Sequence, residues 1–363
     1  MVSSVGPPID MLVGIGVVVL SLLVAVALVT LGRSIAGARR DARRDVRRPD
    51  LQTAIVERMG AADPEWQAWV AGLDRTERSV AKEILRAYFD LVDGEARESL
   101  RGLGRALGID RTARWNLRTG NRFERLEALS WIALLDVDIS IETLRSTCLE
   151  TPETRAGAAR VLYEQDRADA ARVGTAFLLE DPDPLSVFGV DTLYQLNKSD
   201  PSPLLDRAKE AYGIWSESLL IQVLQVIGKT SPTTADNPLG WIGFLFVSDS
   251  LRVRRAAAEA IVGYGWHSDI RAVVDVDQIR TDESSRVRRA VYRTLAAWDD
   301  APSSDALVDA VRTESDPRSA VVAVEALDRT GIDPSEIDRS SASEAALAWV
   351  QAKAVATDAE VTG

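Results

Sequence analysis

The chain has 363 residues, 46% of them hydrophobic, which is enough for a continuous core in one large domain or two. One cysteine and one histidine exclude an intramolecular disulfide, leave a His/Cys zinc site short of ligands and confine any histidine-based catalysis to His267. The formal net charge is −12, and residues 51–363 carry 36 basic against 51 acidic groups, a net of −15 that repels nucleic-acid phosphates.

In chain order, residues 1–10 contain a single charged side chain, Asp10, and Met11 to Leu31 is 21 residues without a charge. As a helix that run covers about 32 Å, the thickness of one hydrocarbon core, so residues 11–32 read as a transmembrane helix. A cleaved signal peptide is the competing reading, but no basic residue precedes the apolar run, so an uncleaved anchor is expected. Arginines follow at once. Residues 33–50 include Arg39, Arg40, Arg43, Arg44, Arg47 and Arg48, which fall on one half of a helix with Asp41 and Asp45 opposite. The excess of arginine after the span places the N-terminus outside and the rest in the cytoplasm, and this arginine face suits anionic headgroups. Pro49 is expected to end that helix.

Residues 51–118 have helical periodicity without a clean repeat and read as a helical N-terminal cap region. Helix starts are marked by Asp63-Pro64-Glu65, Thr151-Pro152-Glu153 and Asp316-Pro317. From residue 119 to 331 one pair recurs: Ala128-Leu129, Val161-Leu162, Thr192-Leu193, Val223-Leu224, Ala260-Ile261, Thr294-Leu295 and Ala326-Leu327. Three residues before each second member stand Leu126, Ala159, Val190, Ile221, Ala258, Tyr292 and Val324, which gives one buried face per unit. A spacing of roughly 30–40 residues with no strand signal predicts an all-α fold, an α-solenoid of about seven helical hairpins. Residues 332–363 read as a C-terminal capping helix and tail.

Two units carry more pattern, "DSLRVRRAAAEAI" from Asp249 and "ESSRVRRAVYRTL" from Glu283, and "DPRSAVVAVEAL" from Asp316 follows it in part. These segments resemble HEAT repeats, including the HEAT-like subclass named after phycobilisome lyases. The layout with an anchor is similar to membrane-anchored HEAT-repeat proteins of haloarchaea. The resemblance implies a stabilising ladder built from Asp249, Val253, Arg254, Val287, Arg288 and Asp316. It offers bilin attachment as an alternative activity, although repeat similarity transfers poorly as function.

Three Asp-x-Asp pairs, Asp136/Asp138, Asp181/Asp183 and Asp275/Asp277, lack the nucleotide fold that would make them metal sites and read as helix caps and connectors. The apolar run from Asn237 to Val247 is too short to span a bilayer. It is either a buried first helix or an exposed anchor through Trp241, Phe244 or Phe246. No catalytic residue, metal, cofactor or small-molecule substrate is expected. The expected function is a membrane-tethered cytoplasmic scaffold for a protein partner, with a regulatory subunit of a membrane transport, glycan or secretion complex as a variant of it. Only five lysines stand against 38 arginines, and 33 Asp against 22 Glu, a composition suited to concentrated salt. Residues 51–363 should therefore melt lower in 0.05 M than in 2 M potassium chloride, because the Debye length grows from a few Å to more than 10 Å on dilution. An unchanged melting temperature would leave the arginine bias without a salt explanation.

Overall fold

The structure, a computed structural model, describes residues 46–230 and 239–361. Every regular element among them is helical. The chain divides into two compact units, Met1–Thr112 and Ala113–Gly363.

In the first unit α1 occupies residues 46–59, followed by α2 (Trp66–Ala71), α3 (Arg75–Phe89) and α4 (Gly94–Ala106). Helix α3 opens on a capping box in which Asp74 accepts from the Glu77 amide and the Glu77 carboxylate accepts from the Asp74 amide. Ile55, Ile84, Leu85, Phe89, Leu100 and Leu103 form the core. Two sequence expectations are corrected here. Residues 46–59 are helical straight through Pro49, which therefore does not end the helix. Helix α2 starts at Trp66 and not at Pro64: the Asp63 carboxylate accepts from the Glu65 amide in a turn, and Glu65 takes a left-handed conformation at the cap.

Helix α5 (Ile109–Thr119) is followed by α6 (Arg122–Leu135). The hairpins that follow are α7 (Ile141–Cys148) with α8 (Pro152–Glu164), α9 (Ala170–Leu178) with α10 (Val187–Asn197), and α11 (Ser202–Ala211) with α12 (Glu217–Ile227). Then α13 (Gly240–Phe244) leads to α14 (Leu251–Ile261), and α15 (Ser268–Arg271) and α16 (Val276–Arg280) together lead to α17 (Ser285–Trp298). Finally α18 (Ala301–Thr313) pairs with α19 (Pro317–Arg329), and α20 (Ser341–Val361) packs on α19. Second helices pack on second helices in the order α6, α8, α10, α12, α14, α17, α19. Among first helices, α9 packs on α11, α13 on α15 and α16 on α18. This is a repeat-like architecture in which each hairpin covers the next.

Side-chain caps start these helices sharply. Ser140, Thr151, Ser186, Ser216, Ser250 and Asp316 each accept an amide of the first turn. All seven marker pairs lie on second helices and are 0–2% exposed. The Thr294 hydroxyl donates to the Ala258 carbonyl of α14 at 2.8 Å, with the Ala290 carbonyl at 3.2 Å as a second acceptor within reach, whereas the buried Thr192 hydroxyl has no partner among the described residues. Of the residues three positions upstream, Ala159, Ile221, Ala258, Tyr292 and Val324 are buried, while Leu126 and Val190 are only half-buried, a correction to the uniform face expected. No described helix is long and apolar enough to cross a membrane, and residues 11–31 lie outside the described residues.

Leu295→Asp, which places an unpaired charge in this packed layer, should cost several kcal/mol in denaturant unfolding. Arg293→Asp, on the exposed side of the same helix, should stay within about 0.5 kcal/mol. Equal losses at the two positions would contradict this register.

Candidate functional site

The second helices carry two constructions, an arginine ladder and a groove with apolar walls. The ladder arginines occupy the same place on three helices, seven residues before the second marker residue: Arg155 on α8, Arg254 on α14 and Arg288 on α17. Each donates to the carbonyl six residues earlier, Leu149 at 3.1 Å, Ser248 at 2.8 Å and Asp282 at 2.9 Å. Each also reaches a carboxylate in the loop before the next second helix. Arg254 makes a bidentate pair with Asp282 at 2.6 and 3.2 Å, Arg288 one with Glu314 at 2.8 and 2.8 Å, and Arg155 reaches Asp181 at 3.4 Å.

This differs from the sequence reading in its acids. Asp249 contributes its carbonyl to Arg254, and its side chain is exposed. Asp316 caps α19 through Ser319 and lies 3.4 Å from Arg289, not on the ladder. Val253 and Val287 are buried beneath the ladder as apolar packing. The acids that close it, Asp282, Glu314 and Asp181, and its third arginine, Arg155, were not legible, because loop acids sit at variable spacing from the arginine they meet.

Glu314 shows the electrostatics. Burial alone would raise its carboxyl, but the Arg288 guanidinium, the Asp316 amide and the Tyr292 hydroxyl at 2.7 Å hold it down to about 2. Tyr292 moves the other way: its burial, then its bond to Glu314, push the phenol up. Hydrogen bonding to Asp282 and Glu314 raises Arg254 and Arg288 in turn.

The groove lies between α10 and α12 and encloses about 680 Å³. Its walls are Val187, Val190, Tyr194 and Val226, with Asp191 and Lys229 at the rim. Val187 is 89% exposed, although it opens a helix in the packed layer. Position seven before the marker is Ser186 on α10, so no arginine ladder crosses this interface. Gln222 of α12 does instead, its amide oxygen accepting from the Leu185 N–H at 2.8 Å and its NH₂ donating to the Leu185 carbonyl at 2.9 Å. A smaller trough of about 360 Å³ continues between α12 and α14 and shares Gln225 and Lys229 with the groove. It is shallower because a Cβ on Gly228 would stand 3.1 Å from the Ala260 Cα, so glycine lets α14 approach closely. Asp191 is answered by Arg160 at 3.2 Å, whereas the Lys229 ammonium makes no ion pair among the described residues.

The remaining sequence candidates fall as follows. Trp241 and Phe246 are buried, so neither offers a contact surface, and Phe244 alone of the three is exposed. The short α13 and the turn after it press Trp241 against Tyr212 and Phe246 against Trp298. Arg47 lies 2.6 Å from Glu77 and Arg48 3.9 Å from Glu83, both acids on α3. Arg39, Arg40, Arg43 and Arg44 lie outside the described residues. His267 occupies the N-cap position of α15 but caps nothing with its side chain, and both ring nitrogens lack a hydrogen-bond partner. Burial pushes the Cys148 thiol up, away from the reactive thiolate. Asp136 ends α6 in the left-handed region, Asp181 takes Arg155, and Asp275 caps α16. Among the described residues no group of three His, Cys, Asp or Glu is placed to hold a metal.

No family model matches the chain, and no curated protein is similar to it. Among solved structures, an engineered protein aligns over 78% of this chain and 89% of its own at 13% identity, with a TM-score of 0.35, too low to carry an argument.

Because the Glu314 carboxyl lies near 2 in the fold and at 4.5 when unperturbed, it adds stability that is complete above about pH 4.5 and is lost as pH falls towards 2. That contribution is about 3 kcal/mol at most. Glu314→Gln should flatten the acid limb of a stability profile between those pH values. A limb as steep as in the parent protein would remove Glu314 from the account.

Proposed function

We propose that this protein is a membrane-tethered, HEAT-like α-solenoid that docks a protein partner on the face built by its second helices. The observation that carries the reading is the groove between α10 and α12. A repeat array normally closes the gap between neighbouring helices, and here exposed Val187, half-buried Val190 and Tyr194 leave it open. Apolar walls, amides at Gln222 and Gln225 and the Lys229 cation, which makes no ion pair among the described residues, make a surface for a side-chain anchor with a polar collar. The tether is the apolar segment 11–31, with the body on the side of the arginines that follow it, in the cytoplasm.

A photo-reactive amino acid at Val187, in intact cells, should give a discrete adduct that Val190→Asp abolishes. The same probe at Lys209, exposed on α11, should give none. Equal adducts from both positions, or none from Val187, would contradict docking at the groove.

A further inference from the structure

Helix α5 turns Ile109, Ala113 and Leu117 inward and leaves Arg111, Arg114, Trp115 and Arg118 on its outer side. These four positions lie on one helical face. Trp115 is 68% exposed, and Phe123, just beyond the turn into α6, is 77% exposed. The three guanidiniums of α5 make no hydrogen bond or ion pair among the described residues, although many arginines elsewhere in the body are engaged with acids or carbonyls. None of the neighbouring acids makes an ion pair with these arginines among the described residues. Asp110 is half-buried in the first turn, Glu124 closes a capping box on Asn121, and Glu153 pairs with Arg122 at 2.5 Å. On a chain of net charge −12, this is a cationic strip around an exposed Trp115, unpaired with any acid among the described residues, with exposed Phe123 following in sequence.

We propose that this face of α5, with Phe123, rests on an anionic phospholipid bilayer. The arginines meet lipid phosphates, Trp115 sits at headgroup depth, and Phe123 reaches towards the acyl chains. The acidic remainder of the body does not forbid this, because its repulsion is screened within about 8 Å at physiological ionic strength while the strip acts at contact. Choosing a bilayer over another polyanion rests on the tether proposed above, which holds the body close to one such surface. The strip thereby adds a second, reversible contact, and each arginine should be worth about fivefold in partitioning.

The test uses the full chain reconstituted in neutral phosphatidylcholine vesicles and in vesicles about one third phosphatidylglycerol, with flotation and amide hydrogen exchange read on each. Flotation with neutral vesicles reports the tether. Slower exchange across α5 in the anionic vesicles alone, lost in R114E/R118E and reduced in W115A, is the expected result. Equal α5 exchange in both lipids overturns the proposal while leaving the tether intact. So does slowing produced by a single-stranded oligonucleotide and not by anionic lipid. If the chain does not float with neutral vesicles, the tether reading fails. The strip is then judged by flotation with anionic vesicles: parent protein that floats while R114E/R118E does not sustains it, and no difference between them sinks it.

Discussion

A guanidinium that serves two loops at once sets the step between hairpins at three interfaces of the second unit, from α8, α14 and α17. Each ladder arginine is fastened to a carbonyl in the loop before its own helix and to a carboxylate in the loop before the next second helix. It therefore fixes the step from one hairpin to the following one. The apolar columns alone would allow sliding, since small side chains such as Ala256, Ala257 and Ala260 present a smooth surface. A bidentate pair does not slide. Its acids are capped by backbone amides as well: Asp282 accepts from Ser284, and Glu314 from Ser315 and Asp316. The lone pairs left by each arginine are thus satisfied, the condition under which a buried ion pair does not undermine the fold.

The groove follows from the same rule by its omission. Where α10 has Ser186 in place of an arginine, the ladder is interrupted, and a neutral amide from Gln222 makes the crossing. An amide clamp to one peptide unit holds two helices without drawing them into contact along their length. The side chains between them, Val190 and Tyr194, remain partly in solvent. One helix further on, the close approach at Gly228 removes most of that space. Stability and opportunity for binding are therefore set at neighbouring interfaces by three residues: Ser186, Gln222 and Gly228.

The seven marker pairs were legible in the sequence because burial on a helix imposes a period, and a period survives without any knowledge of contacts. Arg254 and Arg288 were legible through the Val-Arg pattern around them. Their acids were not, since Asp282 and Glu314 lie in loops 28 and 26 residues further on and belong to different residue types. Arg155 was missed because "TPETRAGAARVL" lacks the preceding valine, although its position relative to Leu162 is the same. The α5 strip lay in plain view as arginines at 111, 114 and 118 around Trp115. It escaped notice because that stretch reads as a cap, where charge is expected. In the densest apolar run, Trp241 and Phe246 are consumed by the core while Phe244 and Val247 remain exposed.

If the ladder sets the step between hairpins, its two sides must be coupled in energy and not merely close. A double-mutant cycle on Arg254→Ala and Asp282→Ala, by denaturant unfolding at neutral pH, measures that coupling directly and cancels the loss of the Ser284 cap. A coupling of about 2 kcal/mol or more is predicted for a bidentate pair this well buried. A value below about 0.5 kcal/mol would mean that the apolar columns alone hold the hairpins in register.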